Sequence, residues 1–144
     1  MARKTRFCTF FVNDMYYGVD VSDVQEIIRP QGLTRVPLAP PVVRGLINLR
    51  GRIVTALDLR RRLGLAERPG DAPGKNVVVR SGDGVVSLLV DEIGDVLETE
   101  EGAVEPPPET LRGAARELIR GACKRPDRLL LILHTERVVS PAVG

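Results

Sequence analysis

The chain is short of aromatic side chains and histidine. Its 144 residues include three phenylalanines, two tyrosines, no tryptophan and one histidine. Binders of single-stranded nucleic acid stack bases on exposed rings, so this shortage counts against that class. The single histidine, His134, ends the apolar run 129–133. It gives neither cysteine a choice of bases, and no serine lies in a Gly-x-Ser-x-Gly elbow. Cys8 and Cys123 lack metal-type spacing and sit among apolar, strand-like neighbours. They are expected to be buried free thiols. No apolar run approaches the roughly 20 residues of a membrane span. The start is charged and the apolar run 7–12 is too short for a signal peptide, so the expected location is the cytoplasm, without membrane insertion.

Phosphate-binding and calcium-loop patterns are absent as well. No Walker or Gly-x-Gly-x-x-Gly motif follows a strand. The carboxylates Asp91-Glu92, Glu98, Glu100 and Glu101 lack the spacing of a calcium loop. Asp58 follows an apolar strand, but Leu59 comes next where an aspartic protease needs Thr-Gly or Ser-Gly. It reads instead as a helix cap. No enzymatic activity, cofactor or metal is expected.

Bulk composition is that of a soluble globular protein: 43% hydrophobic, 28% charged, with a formal net charge of +2. Charges of both signs are interleaved along the chain, and the basic clusters, residues 3–6 and 60–62, are short. At this length the chain forms one domain, or two very small ones, burying roughly 70% of the unfolded surface.

Short β-branched runs punctuated by Gly, Asp and Asn read as strands at residues 7–12, 16–21, 47–49, 53–57, 77–80, 85–90 and 129–133. Asn13-Asp14 and residues 81–84 read as hairpin turns. Residues 58–63 suit a short helix, with Asp58 as N-cap and Gly64 as stop. Residues 22–28 suit a helical turn or two, since Ser22 and Gln25 have capping-box spacing. Residues 66–74 form a polar Pro/Gly loop, and Pro106-Pro107-Pro108 keeps its segment out of any central strand. This is the rhythm of small barrels rather than of βα units.

A weak internal repeat runs through the chain. A shift of 76 places residues 43–63 on 119–139, so that Arg44 meets Arg120, Gly45 meets Gly121 and Leu57 meets Leu133. A shift of 69 places Phe10 on Val79, Asp14 on Asp83, Val24 on Ile93 and Ile27 on Val96. Two copies of one small β module are therefore expected, split near residues 66–75 and packed together.

Two charges stand out on apolar elements. Glu26 lies among Val24, Ile27 and Ile28, and Arg50 lies between Leu49 and Gly51. Either both face water or they pair, since an unpaired charge on an apolar surface is costly. A pair at the edge of an apolar groove suits partner binding.

At these residues the chain resembles the CheW family of chemotaxis coupling proteins, from Phe7 to about Val139. The resemblance rests on Tyr17-Gly18-Val19-Asp20-Val21, Val24-Gln25-Glu26-Ile27, Arg35-Val36-Pro37 with Ala39-Pro40, residues 45–51 (Gly-Leu-Ile-Asn-Leu-Arg-Gly), and Asp58-Leu59-Arg60. It implies an all-β, single CheW-like domain over residues 1–144. Two five-stranded SH3-like β-barrels would pack side by side, approximately residues 1–70 and 71–144, with short helices. It also implies a non-enzymatic scaffold that couples the cytoplasmic tips of methyl-accepting chemoreceptors to the regulatory domain of a CheA-type histidine kinase. The implied partner-binding residues are Val24, Glu26, Ile27, Gly45, Asn48, Arg50 and Gly51, beside an apolar groove that accepts a helical tip.

The chain departs from the family pattern at Thr55 and Ala56, which replace a proline and a larger apolar residue. Residues 118–124 lack the expected aromatic, and His134 replaces an aspartate. Ser140-Pro141 argues against a C-terminal helix. Receptor binding is thus expected to be better preserved than kinase binding. The alternative reading is a small β-barrel that binds nucleic acid.

Overall fold

The computed structural model describes residues 3–65, 74–82 and 84–143. The expected loop at 66–74 falls almost wholly outside them, as does Asp83 of the second hairpin turn. The described residues form two five-stranded sheets. In chain order the strands are β1 (Lys4–Val12), β2 (Met15–Asp20), β3 (Val24–Ile28), β4 (Val43–Leu49), β5 (Arg52–Asp58), β6 (Lys75–Ser81), β7 (Gly84–Val90), β8 (Glu92–Glu100), β9 (Ile119–Lys124) and β10 (Leu129–Leu133). Helices are short: α1 (Leu59–Arg62), α2 (Ala114–Leu118) and α3 (Thr135–Val143).

One sheet runs β8-β1-β2-β10-β9 and the other β3-β6-β7-β5-β4. Exchanging each strand for the one five places away in the chain converts either order into the other. The duplication expected from the sequence is therefore present, but the barrels are not the halves 1–70 and 71–144. Hairpin β1–β2 of the first repeat completes the barrel of β8–β10, and hairpin β6–β7 completes that of β3–β5. A hydrophobic pattern reports which face of a strand is buried, not which neighbour it pairs with, so the exchange was invisible in sequence.

The repeat extends to irregularities. Arg44 and Arg120 both occupy bulges, as register shifts between Val43 and Gly45 and between Ile132 and Leu133 show. Each barrel closes through an isolated bridge, Thr34 to Leu46 and Glu105 to Ala122. There the closing backbone comes so near that a Cβ on Gly45 would lie 2.6 Å from the Thr34 carbonyl oxygen. A Cβ on Gly121 would lie 2.8 Å from that of Glu105. The glycines that align in the repeat are thus the ones that barrel closure requires.

Apolar burial follows the same plan. Ile47, Leu49, Val54, Ala56 and Val78 fill one barrel, and Phe7, Cys123, Leu130 and Ile132 the other. A larger cluster lies between them, joining Phe10, Val12, Tyr17 and Val19 to Val77, Val79, Leu88 and, from α3, Val138 and Val139. Both cysteines are buried and free.

Two local expectations are corrected. Residues 22–28 are not helical: Val21–Asp23 make one 3-10 turn, and Val24–Ile28 continue as β3. The carboxylate of Asp20, not the side chain of Ser22, caps the turn by accepting from the Ser22 amide. Pairing with β6 then overrides the helical signal. The expected stop at Ser140-Pro141 is also absent, because α3 runs to Val143. Pro141 offers no N–H to the Arg137 carbonyl. That oxygen instead accepts from the Ser140 hydroxyl at 3.1 Å and from the Arg62 guanidinium at 2.7 Å.

The predicted helix at residues 58–63 forms as α1. Asp58 accepts from the Arg60 and Arg61 amides, and Gly64 follows at a φ of 75°.

Candidate partner-binding site

The β4–β5 connection is a two-residue turn made by Arg50 and Gly51, with φ of 54° and 85°. Left-handed backbone at both central positions matches the twist of a tight hairpin. Glycine adopts it freely and arginine does not, so the turn needs support. Asn48 supplies it, its side-chain oxygen accepting from the Gly51 amide at 2.8 Å. The turn then holds Arg50 at a fixed place.

Across from it stands Glu26 on β3. A bulge between Val24 and Glu26 alters the pairing with β6, and bulges re-aim side chains. The Arg50 guanidinium donates twice to the Glu26 carboxylate, at 2.7 and 2.6 Å. The two side chains differ in exposure, 74% for Arg50 and 20% for Glu26. This two-pronged pair holds the Glu26 carboxyl below the usual glutamate range, chiefly through the hydrogen bonds. The same bonds raise the Arg50 guanidinium. The carboxylate is thus fixed as an acceptor, while the arginine keeps donor capacity facing outward.

Two isoleucines on the strands that carry the pair are exposed. Ile27 is 43% exposed and follows Glu26 on β3, which turns it to the other face of the strand. Ile53 is 61% exposed and stands opposite Asn48 in register. Sequence reading passed over Ile53 as one more residue of an apolar strand. The alternation of β5 identifies it, since Val54 and Ala56 point inward and so turn Ile53 out.

The seven residues singled out in the sequence divide by role. Glu26 and Arg50 pair directly, Asn48 and Gly51 build the turn, and Ile27 supplies apolar surface. Val24 is half-buried against the central core. Gly45 has a φ of 154° under the Thr34 backbone and belongs to barrel closure. Two of the seven therefore serve mainly the scaffold.

The equivalent place on the other barrel is built differently. Between β9 and β10 stand Arg125, Pro126, Asp127 and Arg128, beside a hollow of about 420 Å³ that Phe11 and Tyr16 help to line. Those two rings stack with centroids 4.9 Å apart. The Arg128 guanidinium lies 5.2 and 5.4 Å from the two ring centres. Among the described residues no group of three or more His, Cys, Asp or Glu is placed to hold a metal. No helix there is long and apolar enough to cross a membrane.

Comparison with known proteins follows this geometry. Residues 6–142 match the model of the CheW-like domain. The chain is 33% identical over 134 residues to the chemotaxis protein CheW of Bacillus subtilis, covering 93% of this chain and 86% of that one. It is 31% identical over 134 residues to CheW of Helicobacter pylori, covering 93% and 81%. Among solved structures it is similar to the scaffolding protein TtCheW of Thermoanaerobacter tengcongensis. There the TM-score is 0.84 at 27% identity, over 96% of this chain and 92% of that one.

Proposed function

The chain belongs to the CheW-like domain family, and from that premise we propose that it is a non-enzymatic chemotaxis scaffold in the cytoplasm. It joins chemoreceptor cytoplasmic tips to a CheA-type histidine kinase. The observation that carries the receptor reading is the Arg50–Glu26 pair, with exposed Ile53 on the hairpin that carries Arg50. A rigid charged pair near an exposed isoleucine suits the apolar stripe of a helix flanked by polar residues, laid into a groove. The exposed guanidinium supplies specificity, and Ile53 supplies burial.

Kinase binding is weaker than receptor binding in this reading. The barrel that family members turn to the kinase lacks the aromatic expected in residues 118–124, and Pro126 and Asp127 stand where the other copy has Arg50 and Gly51. A pull-down from the native host tests both arms. Receptor recovered in excess of kinase supports the proposal. Tight kinase capture, micromolar or better with the isolated regulatory domain, contradicts the weakened-kinase arm.

The nucleic-acid alternative gains no support from the rings. Phe7, Phe10 and Tyr17 are buried, and Phe11 and Tyr16 stack on one another beside Arg128. None is an open platform for a base. Salt-dependent affinity for single-stranded DNA or RNA is the result that would revive it.

A further inference from the structure

Among the described residues four polar side chains are buried: Thr9, Asn76, Ser87 and Thr135. All four act on the end strands β3 and β8. The Thr9 hydroxyl donates to the Asp95 carbonyl within β8. The other three converge on β3. The Thr135 hydroxyl donates to the Asp23 carboxylate at 2.9 Å, immediately before β3. The Asn76 amide donates to the Arg29 carbonyl at 3.4 Å, immediately after it. Ser87 donates to the other end of Asn76 at 2.8 Å and so orients its amide.

The scaffold does not demand these groups. The repeat that shifts by 69 puts Phe7 and Gly18 where Asn76 and Ser87 stand, and the shift of 76 puts Leu59 where Thr135 stands. Phe7 and Leu59 are fully buried. The first repeat therefore fills these places without polar side chains, and the second buries hydrogen-bonded ones. A buried polar group stabilises little beyond an apolar one of the same shape, but it does fix geometry. β3 needs fixing. It is an end strand with a bulge, paired on one side to β6. It also carries Glu26.

We propose that Thr135 and Asn76, with Ser87 behind Asn76, are positioning residues that pin the two ends of β3 and so hold Glu26 where Arg50 engages it. Their effect on partner recognition rests on the function proposed above; the positioning itself does not.

The test uses the full chain. The Asn76→Leu/Ser87→Ala double variant replaces the polar pair with apolar groups and leaves no orphaned donor, so thermal stability is expected to stay close to wild type. Thr135→Val removes the hydroxyl at nearly constant shape, and Thr135→Ser restores it. Carbon-13 NMR titration of the Glu26 carboxyl and hydrogen exchange of the β3 amides are measured in each. In the double variant and in Thr135→Val, the Glu26 titration is expected to rise toward that of an ordinary glutamate. The β3 amides should exchange about tenfold faster, those of β5 should be unchanged, and Thr135→Ser should behave as wild type. The proposal is overturned if Glu26 keeps its depressed titration in both variants. Uniformly faster exchange across both barrels overturns it too, because that signals lost stability alone.

Binding of a receptor cytoplasmic fragment from the same host separates the two claims. If Arg50→Ala abolishes binding while both positioning variants bind normally, the effect of positioning on recognition fails and the receptor reading stands. If Arg50→Ala binds normally, the receptor reading fails, and the Glu26 titration still decides positioning.

Discussion

Single residues carry the site. Arg50 sits in a left-handed turn that arginine disfavours, and the Asn48–Gly51 bond and the grip on Glu26 hold it there. The pair has a simple pH dependence. The folded-state value of Glu26 lies below the ordinary one, so its stabilising contribution is complete above the ordinary glutamate range. It is lost as pH falls through the folded value. Arginine does not titrate in this range. The pair is thus expected to be constant between about pH 5 and 8 and to open only below the ordinary glutamate range. An NMR titration of Glu26 checks this, and a midpoint at or above the ordinary value would contradict it.

Gly45 makes a second residue-scale prediction. Gly45→Ala forces a Cβ against the Thr34 carbonyl at a φ that alanine avoids, costing about 2–3 kcal/mol. Gly121→Ala meets the same contact in the other barrel and is expected to destabilise comparably. Denaturant midpoints measure both, and near-neutral values would contradict the account of closure. These residues were visible in the sequence because glycine and a lone charge announce themselves without knowledge of the fold. That Gly45 serves closure became visible only with Thr34 in place above it.

At the scale of elements, legibility followed burial. Strands buried on both faces, such as β7 and β10, show continuous apolar runs and were readable. β8 was not, because Glu92, Asp95, Glu98 and Glu100 interrupt it on the open side of its sheet. β3 was misread because Ser22 and Gln25 imitate a capping box, and only β6 decides otherwise. α3 was missed because its defence against Pro141 is distant in sequence: Arg62 donates to the Arg137 carbonyl at 2.7 Å and to the Val138 carbonyl at 3.0 Å. Arg62→Met removes both bonds and keeps the aliphatic stem. It is expected to cost about 1–2 kcal/mol and to raise amide exchange selectively in α3. Unchanged exchange in α3 would show that the arginine does not hold the helix.

The whole molecule is a duplication whose hairpins have changed places. Each repeat has five strands, but each barrel draws two of them from one repeat and three from the other. Neither repeat alone closes its barrel or covers the central core that β1, β2, β6, β7 and α3 share. Fragments 1–65 and 74–144 are therefore expected to be unfolded separately and to regain β structure when mixed, as circular dichroism would report. A fragment that folds alone would contradict the exchange. The duplicated scaffold carries an unduplicated site. Asn48, Arg50 and Gly51 stand on one barrel, and Lys124, Pro126 and Asp127 at the corresponding places on the other. The two barrels therefore present different surfaces at equivalent places, as the proposed scaffold function requires. Calorimetric titration of a cognate receptor cytoplasmic fragment into wild type and Arg50→Ala tests this most directly. The account predicts reversible binding by the wild type and at least about tenfold weaker binding by the variant, with an unchanged fold. Equal affinity in the two proteins would contradict it.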